Sequence, residues 1–178
     1  MTKFDFEDGN GPVPAKKHSN GGGWVADTAT VSHTAYVGLD ALVYGNASVY
    51  GDALVSGNAR VTDNARVSDN ARVYGDACVS GNARVSDDAW VSGYAWVFGN
   101  ARVYGNAWVF VDARVFDNAE VSDNARVYDD AKVCDNAKVC DNARVYGDAK
   151  VSGEESKVEI KKDRIFINGK WYEEVKDD

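Results

Sequence analysis

Few residues of this chain could make or break bonds, and many could grip a flat anion. Of its 178 residues, two are histidine (His18 and His33) and three are cysteine (Cys78, Cys134 and Cys140). Any general base working near neutrality would have to be His18 or His33. His18 lies in a Pro/Gly-rich stretch and His33 stands in a turn, so both read as solvated side chains before they read as catalysts. The three cysteines do not fall at the spacing of a disulfide framework or a four-ligand zinc site, and their odd number fits a reducing compartment. No metal or cofactor is expected. The arginines and aromatic residues are more informative. Arg66, Arg84 and Arg102 are eighteen residues apart, and so are Arg72, Trp90, Trp108 and Arg126, while Arg114 follows Trp96 by the same interval. Guanidinium groups fork onto phosphate or carboxylate and stack on rings, so this pattern suits recognition of an anionic, aromatic molecule.

The elements that position these residues follow from a second period. Every sixth residue from Val25 to Val151 is valine, (151 − 25)/6 + 1 = 22 in succession, and alanine stands two residues before each from Ala29 to Ala149. The unit is Ala-x-Val-x-(Gly/Asp)-(Asn/Asp), as in Ala59-Arg60-Val61-Thr62-Asp63-Asn64. Ala and Val alternate with variable residues, which predicts a short strand with Ala and Val inward and both x positions outward. The Gly/Asp and Asn/Asp pair tolerates positive φ and predicts a corner. Helix is excluded, because Gly or Asn every sixth residue would break it. Three units close a triangular coil of eighteen residues, and about seven coils stack at a spacing of roughly 4.8 Å.

These residues resemble the hexapeptide-repeat superfamily over residues 24 to 152, and the near-identical units look like uncharacterised hexapeptide-repeat proteins of bacteria and their phages. The resemblance implies an all-β fold, a single-stranded left-handed parallel β-helix. Handedness comes from the resemblance alone, since ordinary parallel crossovers are right-handed. It also implies parallel trimers as a common assembly, and acyl-CoA-dependent acyltransferases as the best-known enzymes.

The expected organisation is an N-terminal arm or cap over residues 1 to 23, the β-helix over 24 to 153, and a C-terminal hairpin cap over 154 to 178. The arm carries both prolines and Asn20-Gly21-Gly22-Gly23, with Phe4 and Phe6 as apolar anchors, and is expected to be loose and to fold over the first coil. The hairpin is signalled by Asn168-Gly169 between Arg164-Ile165-Phe166-Ile167 and Lys170-Trp171-Tyr172.

Residues eighteen apart should lie above one another. Two corner pairs in the middle of the column depart from the rule: Tyr94 replaces Asn/Asp, and Val111 replaces Gly/Asp, on one corner of adjacent coils. Around it the register gathers Trp90, Tyr94, Trp96, Phe98, Trp108, Phe110, Val111 and Phe116. So large an apolar edge is a contact surface, either between copies of the chain or for a ligand. Arg72, Arg114 and Arg126 flank it. The ladder Arg66, Arg84 and Arg102 is either a solvated face neutralised by corner aspartates such as Asp63, Asp69 and Asp87, or a second anion site.

A net charge of −8 and pI near 4.8 argue against ordinary nucleic-acid binding. Nothing resembles a signal peptide or a membrane span, so the expected location is cytoplasmic, the host cytoplasm if phage-encoded. The reading is a non-catalytic homotrimeric β-helix that sequesters an anionic, nucleotide-like molecule between subunits. The alternatives are an acyltransferase using His33 or His18, a pure scaffold, or a DNA mimic. The unbroken register, with no extruded loop to shape an acceptor cleft, disfavours catalysis.

Overall fold

The computed structural model describes residues 2 to 153 in full, together with the backbone of strands Lys157–Lys161, Arg164–Ile167 and Lys170–Glu173. It is a parallel β-solenoid. Each hexad contributes a short strand built on an outward residue and its valine, two residues long in all but Trp24–Ala26 and Lys138–Asp141, such as Arg84–Val85 or Trp90–Val91. Successive strands fall on three different sheets, and each pairs in parallel with the strand one coil away, as in Arg72↔Trp90 and Trp90↔Trp108. The faces are named below after Trp90, Trp96 and Arg84. The Trp90 face consists of seven strands, from Tyr36–Val37 to Arg144–Val145.

The expected inward set forms the core. Every valine of the six-residue register from Val37 to Val139 and every alanine from Ala35 to Ala143 is fully buried. The N–H that follows each alanine reaches the next coil, as in Arg84 N to Ala101 O at 2.9 Å, so the ladder runs along the axis while the valines fill the interior. No buried side-chain nitrogen or oxygen among the described residues lacks a partner.

The corners turn on left-handed residues. Asp63, Asp69, Asp87, Asp117 and Asp123 have φ near +60°, and glycine takes the same position elsewhere. At Gly93 a Cβ would lie 2.9 Å from the Val111 nitrogen one coil on, so the coils touch too closely there for a side chain. The corner aspartates also tie the coils together. The carboxylate Oδ2 of Asp63 accepts from Gly81 N at 2.9 Å, and that of Asp87 from Gly105 N at 2.9 Å. Along the corner between the Trp96 and Arg84 faces, Asn46, Asn64, Asn82, Asn100, Asn118 and Asn136 form a side-chain ladder, each Nδ2 donating to the next Oδ1 at 3.0 to 3.5 Å.

The N-terminal segment does fold over the first coil, but it is not loose. Lys3–Phe4 and Val13–Lys17 are antiparallel strands that extend the Trp96 face beyond Trp24–Ala26. Phe6 is buried with Ala15, Ala26 and Tyr44, and Phe4 stacks on Trp24 at 4.5 Å. The glycine run serves close approach: a Cβ on Gly21 would lie 2.2 Å from the Val37 carbonyl oxygen. At the other end, Lys157–Lys161 runs parallel to Lys138–Asp141, and Arg164–Ile167 and Lys170–Glu173 continue the Arg84 face antiparallel. The Asn168-Gly169 turn lies outside the described residues.

Candidate functional site

Gly93-Tyr94 and Val111-Asp112 occupy the same corner of adjacent coils, joined by Tyr94 N to Val111 O at 2.7 Å. The corner is apolar and exposed: Tyr94, Trp96 and Val111 are 62, 52 and 39% exposed. Val111 holds φ at +63°, whereas every other non-glycine residue in that region within the solenoid is aspartate. A β-branched side chain there crowds the backbone, and such strain costs about 1–2 kcal/mol.

The eight residues gathered by the register do not share one edge. Ring contacts divide six of them between the two faces that meet at the corner, and Tyr94 and Val111 stand on the corner itself. On the Trp90 face, Trp90 and Trp108 stack at 4.8 Å with planes 2° apart. Trp108 meets Phe110 edge-on, and Phe110 begins a second stack with Tyr128 at 4.9 Å that continues to Tyr146 at 5.4 Å. On the Trp96 face, Trp96 meets Phe98 edge-on and Phe98 stacks on Phe116 at 5.0 Å. The reason is geometric: the two outward positions of a strand lie at opposite ends of a flat face, so only one of them borders a given corner. Tyr74, Tyr128 and Tyr146 belong to the Trp90-face cluster and were not gathered with it from the sequence. Their signal was the eighteen-residue column Tyr74, Ser92, Phe110, Tyr128, Tyr146.

The flanking arginines lie on these rings. The guanidinium carbon of Arg72 is 5.0 Å from the Trp90 centroid and that of Arg126 is 4.8 Å from Trp108, so Arg72, Trp90, Trp108 and Arg126 make one four-rung stack. Arg114 covers Trp96 at 5.7 Å. Stacking leaves the in-plane N–H groups of each guanidinium available to an anion. The two faces of Trp90 and of Trp108 are occupied, so these rings offer their edges to a partner.

The ladder Arg66, Arg84 and Arg102 is in register on the third face. The carboxylate that answers it is Glu120, 3.8 Å from Arg102 and 3.3 Å from Lys138. Asp63, Asp69 and Asp87 keep their negative charge at the corners, and their carboxylates accept backbone N–H groups of the next coil. Arg84, Ser86, Arg102, Tyr104 and Glu120 line a shallow depression of about 350 Å³. A second, of about 440 Å³, lies under the N-terminal strands between Lys17, Trp24 and Leu42.

The remaining candidates are dispersed. His18 is half-buried, with Nε2 3.0 Å from the Ala35 carbonyl oxygen, and His33 is exposed on a corner. Cys134, expected to face outward, is buried, and burial pushes its thiol pKa up; Cys78 is shifted upward for the same reason. Asp117, Cys134 and Asp135 converge. The same geometry recurs where no metal ligand set exists: Ser68 donates to Asp69 at 2.7 Å and Ser122 to Asp123 at 2.9 Å, and each carboxylate accepts an N–H from the next coil. The cluster is therefore a repeat corner with sulfur in place of oxygen. Among the described residues no helix is long and apolar enough to cross a membrane.

Residues 65–81, 77–93, 95–109 and 137–153 match the family model described as YdcK Beta solenoid repeat. Together with the fold, this match supports a repeat β-helix family. No curated protein and no solved structure matches the chain.

Proposed function

We propose that the protein acts by binding, as a homo-oligomeric β-helix that sequesters an anionic, nucleotide-like small molecule at its aromatic and arginine surfaces. The observation that carries this reading is the pairing of guanidinium with indole on two adjoining faces: Arg72 on Trp90, Arg126 on Trp108 and Arg114 on Trp96. Each pair joins a ring to a cation whose N–H edges remain available, which is the chemistry a base with its phosphate requires. The exposed, strained corner of Tyr94 and Val111 suits contact with a second copy, and a three-fold assembly with parallel columns would place such sites between subunits. A phage or bacterial protein that withdraws a signalling nucleotide would work in this way.

Assembly alone is a second reading, favoured by the fact that both faces of Trp90 and of Trp108 are already covered within the chain. Calorimetry with a panel of nucleotides and acyl-CoAs separates the possibilities. Sequestration predicts heat with at least one nucleotide and recovery of that nucleotide unaltered. No heat with any nucleotide contradicts it, and acyl-CoA turnover abolished by His33→Ala would establish the enzyme instead.

A further inference from the structure

The outward column of the Trp96 face runs Trp24, Leu42, Arg60, Cys78, Trp96, Arg114, Lys132, Lys150. Every side chain in it is long except Cys78. The second outward position of that rung is Ser80, so one rung of this face carries no large group at either end. Cys78 pairs in register with Arg60 on one side and Trp96 on the other. The backbones of Arg60 and Trp96 are therefore two rungs, roughly 9.5 Å, apart, with only the short Cys78 side chain on the rung between them. On the Trp90 face the corresponding rungs are filled, and neighbouring rings lie 4.8 Å apart.

We propose that this missing rung is a slot for one flat aromatic group of an anionic ligand, a nucleoside monophosphate in chemistry. This deepens the sequestration reading and rests on it. A base inserted midway would lie at the same stacking distance from Trp96 and Arg60 that the Trp90–Trp108 pair shows. Trp96 is half exposed, and its other face is covered by Arg114, which holds the ring in the plane a stacking partner needs. Thr62 and Ser80 supply hydroxyl groups on the same face. The ion pair that Arg60 makes among the described residues is a long one, to Glu7 at 4.0 Å, whose side chain is 82% exposed and able to give way to a phosphate. The ligand completes the side-chain stack, and its phosphate replaces Glu7 on Arg60.

Calorimetric titration of the full chain with AMP, adenosine, ribose 5-phosphate and inorganic phosphate tests this. AMP is expected to bind once per chain, adenosine more weakly, and the two ring-free compounds not measurably. Cys78→Phe fills the rung from within the chain; it should abolish AMP binding while the melting temperature is unchanged or raised, which shows that the fold is intact. Trp96→Ala, with its folding checked by circular dichroism, should weaken AMP about tenfold or more. Tyr50→Ala, which removes an exposed ring on the Arg84 face, should leave the affinity within about threefold. AMP bound equally well by wild type and Cys78→Phe would overturn the slot and leave the broader reading standing. Loss of AMP binding in Trp90→Ala, with Cys78→Phe unaffected, would also refuse the slot and move the site to the Trp90 face. A wild-type protein that binds none of the four would overturn the slot, and the broader reading would fall with it only if the whole nucleotide panel also gave no heat.

Discussion

Val111 shows how far one residue departs from the logic of its repeat. Its neighbours in the column are glycine and aspartate because the backbone there needs positive φ, and a valine persists at φ +63° with 39% of its surface exposed. Val111→Asp would relieve the crowding. It would also place a carboxylate in the position from which Asp129 accepts the N–H of Gly147 at 3.1 Å. Chemical denaturation should therefore show a gain of about 1 kcal/mol; a loss of similar size would mean that the valine packs better than its backbone geometry implies. Strain of this kind was not legible in the sequence as strain, only as a departure from the corner rule. The burial of Cys134 was not legible either, because an outward position at a strand end is shielded by the coils above and below it. Its buried, upward-shifted thiol should react with iodoacetamide at pH 8 far more slowly in the native protein than in denaturant, as followed by mass spectrometry; equal rates would contradict the burial.

Stacked columns hold the outer surface as the valines hold the core. Arg72, Trp90, Trp108 and Arg126 form one such column, and Trp90 touches both neighbours within it. Trp90→Ala removes a ring pair and a cation–ring contact together, and should lower stability by about 2 kcal/mol in thermal or urea unfolding. A change below about 0.5 kcal/mol would mean that the column is decoration. The asparagine corner is weaker, since its ladder is solvent-exposed: Asn100→Ala breaks the bonds to Asn82 and Asn118 and should cost about 1 kcal/mol or less. The columns themselves could be written down from the sequence, because side-chain period two and coil period eighteen fix every outward neighbour. Which ring meets which could not. That depends on where along a flat face each outward position lies, and this is why Phe98 and Phe116 separate from Trp90 and Trp108. The N-terminal segment escaped for a related reason. Its prolines and glycines signal irregular chain, whereas Gly21 and Gly23 are present because the backbone of Val37 and Gly38 passes within reach of a Cβ.

At the scale of the whole molecule, the described residues form a three-sided column with two shallow depressions, and the candidate binding groups stand on its faces. Two of the three faces carry rings covered by arginine and meet at a strained, exposed corner, while the third carries the Arg84 ladder answered by Glu120. The core positions were legible because a uniform repeat leaves one way to bury twenty-two valines in a stack. The site was legible only as a set of rings and cations with no ligand named, because binding chemistry at a surface has no fixed spacing of its own. In the proposed function the chain assembles through the Tyr94 corner and retains an anionic aromatic molecule without altering it. Native mass spectrometry after incubation with nucleotides measures copy number and ligand mass in one spectrum. The predicted result is three chains carrying whole nucleotide masses that are released unchanged on denaturation. Bare monomers at every nucleotide concentration, or a ligand released with altered mass, would contradict it.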